Sequence, residues 1–116
     1  MAHQYEYTEI KMKYERQFYD LLFKIKKCPG VIIGSKSLEK LFFFMGGYDY
    51  AFSDLMPYRL HFDKDFQEYV SNKFPTKMTW HWNTVIAQNR TDEEAFDFFY
   101  ELLDEFIVDR ERLLND

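Results

Sequence analysis

Between about Thr8 and Lys27, the residues Ile10, Tyr14, Phe18, Leu21, Leu22 and Ile25 recur at spacings of three and four, the period of an amphipathic helix. Lys24, Lys26 and Lys27 crowd the end of this segment, where cations complement the helix dipole, and Pro29-Gly30 stops it. Val31-Ile32-Ile33 lies between two glycines and reads as a buried extended connection or a very short strand. Ser35 or Ser37 can cap a second helix, whose apolar stripe is Leu38, Leu41, Phe42, Met45 and Tyr48. Gly46-Gly47 sits awkwardly in that stripe, because each glycine costs a helix interior roughly 1 kcal/mol against alanine. Either the helix ends near Met45, or the glycines permit a close helix crossing.

Asp63 or Asp65 can cap a third helix, and Asp65-Phe66-Gln67-Glu68 matches a capping box in outline. Phe66, Tyr69, Val70 and Phe74 form its inner face, and Pro75 ends it. The segment from Met78 to Asn89 is ambiguous. Met78, Trp80 and Trp82 alternate like a strand, whereas Trp82, Val85, Ile86 and Asn89 fit a helical face, and helix is the preferred reading. Thr91-Asp92-Glu93-Glu94 is a full capping box. Behind it Phe96, Phe99, Tyr100, Leu103, Phe106 and Ile107 give the strongest apolar stripe in the chain. Helices joined by short connections predict an all-α fold: one domain over residues 1–116, a compact bundle of about five helices with a short extended segment near 31–33.

Composition sharpens this picture in two ways. Aromatic residues make up 21% of the chain, with thirteen Phe and nine Tyr. They bury large area at low rotamer cost, so a Phe-rich core is expected; the same excess also suits a sticky binding face. Cys28 is the single cysteine, which allows no intramolecular disulfide and fits a reducing compartment. The opening residues lack a basic region followed by an apolar one, and the longest apolar run, Leu41 to Met45, is too short to span a bilayer. A cytoplasmic protein with no membrane association is expected. The pI of about 5.2 argues against broad nucleic-acid binding, which needs a basic footprint.

Charge divides the chain unevenly. Residues from Thr91 onward carry ten carboxylates and two arginines, whereas the ninety residues before them carry ten carboxylates and thirteen Lys/Arg. Asp92, Glu93 and Glu94 have a local explanation in helix capping. Asp97, Glu101, Asp104 and Glu105 form a narrower stripe, repelling one another by a few tenths of a kcal/mol per pair, with Arg110 and Arg112 as relief near the end. The stripe is either a solvated face, neutralised by lysines of the first helix, or a surface that steers a basic partner. Tyr48, Tyr50 and Phe52 form a candidate exposed aromatic patch, with core lining as the alternative. No sequence neighbour makes His3, His61 or His81 a catalytic base. Glu-x-x-His pairs of the di-iron kind are missing, and Gly34-Ser35-Lys36-Ser37 lacks the spacing of a phosphate loop. No catalytic, metal or cofactor site is expected.

The run Ile33-Gly34-Ser35-Lys36-Ser37-Leu38, with Leu41, Phe44, Gly47-Tyr48 and Ala51, carries a further pattern. So do Phe66-Gln67-Glu68-Tyr69-Val70, Phe74, Trp82, Ile86, and Asp92-Glu93-Glu94-Ala95-Phe96 with Phe99, Leu102 and Phe106. Over residues 31–107 the chain resembles the small bacterial immunity proteins of contact-dependent growth inhibition and related polymorphic toxin systems. Gly46 and the long charged first helix depart from that pattern. The resemblance implies a non-enzymatic inhibitor, a monomer or weak dimer, that binds one cognate toxin domain with a basic surface. No site residue follows from the resemblance. The residues themselves nominate Asp97, Glu101, Asp104 and Glu105, with Tyr48 and Tyr50, as the binding surface; a helical adaptor, possibly homodimeric, is the rival reading.

Overall fold

The apolar periods become helices along most of the chain, in the order α1 (Ala2–Lys27), α2 (Pro29–Ile32), α3 (Leu38–Leu55), α4 (Phe62–Lys73), a 3-10 turn (Pro75–Lys77), α5 (Trp82–Ala87) and α6 (Asp92–Asn115). The computed structural model describes the backbone of residues 2–115 and the side chains of residues 12–111. Ile10, His3 and Arg112, named above, lie outside the described side chains. Among the described residues there is no strand, and the fold is an all-α domain.

Its centre is aromatic. Phe66 meets Trp82 edge-on with ring centroids 5.1 Å apart, meets Phe99 at 5.5 Å, and stacks on Phe62 at 5.1 Å. Trp82 stacks on Phe99 at 5.4 Å. Offset and edge-on pairs of this kind add about 0.5–1.5 kcal/mol each beyond their buried area. Phe96, Phe99, Leu103 and Phe106 supply the α6 side of this core, and Phe18, Leu22 and Ile25 supply the α1 side. The Tyr100 hydroxyl donates to the Leu22 carbonyl at 2.6 Å, tying α6 to α1. Burial pushes its ionisation above the ordinary tyrosine range.

The structure corrects four local readings. Val31-Ile32-Ile33 is not extended: Pro29 opens a single helical turn, closed by the Ile33 and Gly34 amides donating to the Pro29 carbonyl. Proline presets the backbone for a first helical turn, three β-branched residues have no neighbouring strand to pair with, and Val31 is 83% exposed. Gly34 then reverses the chain at φ +92°, a left-handed conformation that favours glycine.

The second correction concerns α4, which begins at Phe62 and has no side-chain cap. Phe62 and Phe66 must share one face to reach the core, so the helix starts before Asp65. Asp63 instead accepts the Trp82 indole N–H at 2.9 Å, and Asp65 pairs with Arg110 at 2.9 Å. Gln67 accepts from the Trp82 amide at 2.7 Å. Third, Met78 to Trp80 forms a turn and only Trp82 to Ala87 is helical. Fourth, α3 runs straight through Gly46-Gly47 to Leu55. Among the described residues no helix crosses there, because a methyl group at either glycine would meet no atom within 4 Å.

Candidate functional site

Two outer faces carry the candidate residues, one on α6 and one on α3. The capping box of α6 forms as its sequence requires: the Glu94 amide donates to Thr91 Oγ1 at 3.1 Å, and the Thr91 amide donates to Glu94 Oε1 at 3.2 Å. Those bonds hold the Glu94 carboxyl below its usual range. Asp92 and Glu93, however, look outward to other elements. Asp92 accepts the Glu39 amide at 3.0 Å and the Ser37 hydroxyl, while Ser37 itself caps α3 by accepting the Lys40 amide. One carboxylate thus sits at the N-termini of two helices, α6 and α3, where negative charge is favoured.

The acidic stripe is similarly engaged. Asp97 pairs with Lys36 at 2.7 Å, and that hydrogen bond raises the Lys36 ammonium above its ordinary value. Glu93 lies 3.9 Å from the same ammonium. Asp104 lies 4.0 Å from Lys26 at the end of α1. Glu105 takes Lys73 of α4 and the Tyr69 hydroxyl at 3.1 Å. The Lys73 contact, then the Tyr69 contact, hold the Glu105 carboxyl low. Burial first, then the Glu105 bond, pushes Tyr69 up to about 12. Of the four stripe residues only Glu101 has no ion pair or hydrogen bond among the described residues. Lysines from three other elements, with Lys26 the one contributed by α1, stitch α6 to the rest of the fold.

The α3 face is different in kind. Tyr48 and Phe52 turn inward, stacking on each other and packing against Phe18 and Tyr14. Tyr50 stands alone outward, 80% exposed, and Phe43 is 67% exposed about two turns away on the far side of the glycines. Gly46, Gly47 and Tyr50 lie three, four and seven residues after Phe43, so the four share one sector of the helix.

Beside this sector opens a cavity of about 230 Å³, walled by Phe42, Phe62 and Trp82, with Gly46 at its edge and Asp49, Asp63 and His81 supplying its polar groups. The His81 Nε2 atom lies 3.7 Å from Asp63 Oδ1, and His81 Nδ1 lies 2.6 Å from Asn83 Oδ1. Desolvation, then the nearby Asp63 charge, raises the Asp49 carboxyl above its ordinary value, while Arg59 pulls the other way. Among the described residues no serine, threonine, cysteine or lysine lines the cavity, so its chemistry is that of two carboxylates and an imidazole against aromatic walls: cation binding or proton exchange. Among the described residues no three His, Cys, Asp or Glu side chains gather as a metal site would need, and Cys28 is exposed and free.

The sequence places His81 next to no carboxylate; the fold supplies Asp63 through the α4–α5 packing. Asp49 and Phe43 also escape the sequence reading. Phe43 carries one usable signal, because it is a large apolar side chain falling outside the α3 stripe. No helix among the described residues is long and apolar enough to cross a membrane. Compared with protein-family models, curated proteins and solved structures, the chain matches none.

Proposed function

We propose that the protein is a non-enzymatic binding protein that neutralises a cognate toxin domain with a basic surface, in the manner of the immunity proteins its sequence resembles. Contact is made by the outer face of α3, and the acidic α6 helix contributes long-range steering. The observation that carries this reading is the pair of exposed rings, Phe43 and Tyr50, on either side of a mid-helix glycine pair against which nothing among the described residues packs. Aromatic residues of this kind serve as binding anchors, and the bare backbone between them lets another chain approach closely.

The test begins with the adjacent gene. A large secreted protein with a variable C-terminal domain, encoded immediately upstream, supports the toxin reading, and a neighbour of another kind sinks it. With that domain in hand, Phe43→Ala and Tyr50→Ala should each weaken binding about tenfold or more, a loss of at least about 1.4 kcal/mol. Reversing Asp97, Glu101 and Asp104 to lysine should slow association by only a few-fold and flatten its salt dependence. The opposite ranking moves the contact surface to α6. A second copy of the chain is the rival occupant of the α3 face; a stable dimer in light scattering, lost in Tyr50→Ala, would favour the adaptor reading.

A further inference from the structure

The cavity beside α3 has a charge pattern that the fold leaves unfinished. Asp49 is half-buried and makes no hydrogen bond or ion pair among the described residues. Asp63 spends one oxygen, Oδ1, on the Trp82 indole and on the more distant His81 ring; its Oδ2 has no partner among the described residues. The two carboxylates repel each other at the mouth of an aromatic pocket. Arg59 acts on Asp49 only through space, and Arg59 does not line the cavity. Asp49 is partly desolvated, whereas Asp63 stays exposed, and two like charges side by side are relieved by a cation entering between them.

We infer that this cavity is a socket for a single guanidinium group, an arginine side chain presented by the partner. The inference deepens the proposed function and rests on it for the source of that arginine. Three features select guanidinium. It is planar and weakly hydrated, so it stacks on aromatic rings more readily than an ammonium does, and Phe42 stands at the cavity edge-on to both His81 and Trp82. Its forked donors can serve Asp49 and the free oxygen of Asp63 together. Its slender stem needs a clear entrance, and Gly46 leaves one, since any side chain there would project into open space at the cavity wall. The exposed Phe43 and Tyr50 rings flank that entrance on α3 and would grip the backbone carrying the arginine.

The test uses the full chain alone, titrated with Nα-acetyl-arginine methylamide and followed by amide and indole NMR. The socket requires a saturable shift of the Trp82 indole N–H, because that proton is bonded to Asp63. An affinity of roughly millimolar is expected for one charged side chain. Asp49→Asn should weaken it about tenfold, by removing one of two counter-charges. Gly46→Leu should abolish it by filling the entrance while improving helix propensity, so loss of binding there is not loss of fold. The corresponding lysine derivative should bind at least about threefold more weakly.

A shift that stays linear with concentration overturns the socket. So does one of equal size at Glu101 on α6, or one unchanged in both variants. These outcomes concern the chain by itself and stand whether or not a toxin domain binds it. Conversely, a toxin domain that binds wild type and Asp49→Asn equally well keeps the proposed function, which does not use Asp49, and overturns the socket.

Discussion

The outer faces of α6 and α3 show opposite relations between sequence and fold. The α6 face is the more conspicuous in sequence, a run of carboxylates with almost no internal relief, yet its charges are largely spoken for. Asp97, Asp104 and Glu105 meet lysines from the loop before α3, from α1 and from α4, and Asp92 caps a neighbouring helix. The α3 face is quiet in sequence, yet the structure leaves it open: two exposed rings and, among the described residues, two glycines with nothing packed against them and a carboxylate, Asp49, with no hydrogen bond or ion pair. Net charge along a helix is therefore no measure of the charge left unpaired on its surface. An intramolecular counter-ion removes the electrostatic incentive for an external one, and the surface with unmet demand is the better candidate.

If the α6 face is structural, its most connected carboxylate should matter to stability more than to binding. Asp92→Ala removes the acceptor of the Ser37 hydroxyl and of the Glu39 amide, and it strips a negative charge from two helix N-termini. The expected loss is about 2 kcal/mol, the upper range for a single cap, read as a lower denaturant midpoint with an unchanged slope. Asp92→Asn keeps an acceptor and should recover about half. A loss within about 0.5 kcal/mol, the scale of an ordinary surface substitution, would break the contrast by making Asp92 as dispensable as an unpaired surface charge.

The α3 face makes the converse demand. Gly46→Ala with Gly47→Ala should stabilise the fold by about 1 kcal/mol in total, since both positions are helical and open to solvent. The same substitutions should weaken binding of the cognate domain, because two methyl groups would then stand between Phe43 and Tyr50. Greater stability with weaker binding is the signature of residues kept for function. Stabilisation with binding intact would show that the glycines serve neither fold nor partner.

Much of the scaffold was legible. The stripes of α1, α3, α4 and α6 follow the helical period, the Thr91–Glu94 box forms with its reciprocal bonds, and the aromatic excess became the core. These are local properties, fixed by spacings of three and four. What escaped depends on who meets whom across long separations. Lys36 and Asp97 are 61 residues apart, and Tyr100 and Leu22 are 78 apart; no periodicity pairs them. Asp63 looked like a helix cap because its sequence neighbours are those of a cap, but the buried Trp82 indole needed an acceptor and claimed it. A glycine pair inside a helical stripe has two explanations within a fold, a helix end or a close crossing. The helix continues to Leu55 and no described residue packs against the glycines, which leaves their bare backbone open to solvent.

The smallest expected effect concerns the acid limb. Glu105 is held below its ordinary value by Lys73 and Tyr69, so the folded chain binds a proton there less readily than the unfolded chain. Its contribution is therefore complete above the unfolded value, near 4.5, and is lost as pH falls through the lower folded value. Because the pair is half exposed, solvent and salt screening keep its worth below about 1 kcal/mol. Lys73→Met should remove that part of the acid dependence, making stability between about pH 5 and pH 3 fall less steeply than in wild type, with little change at neutral pH. Adding about 1 M salt should narrow the gap between the two proteins. An acid limb equally steep in both would mean that the Glu105 pairing does not link protonation to folding, and the α6 stripe would regain its standing as a surface held ready for an outside cation.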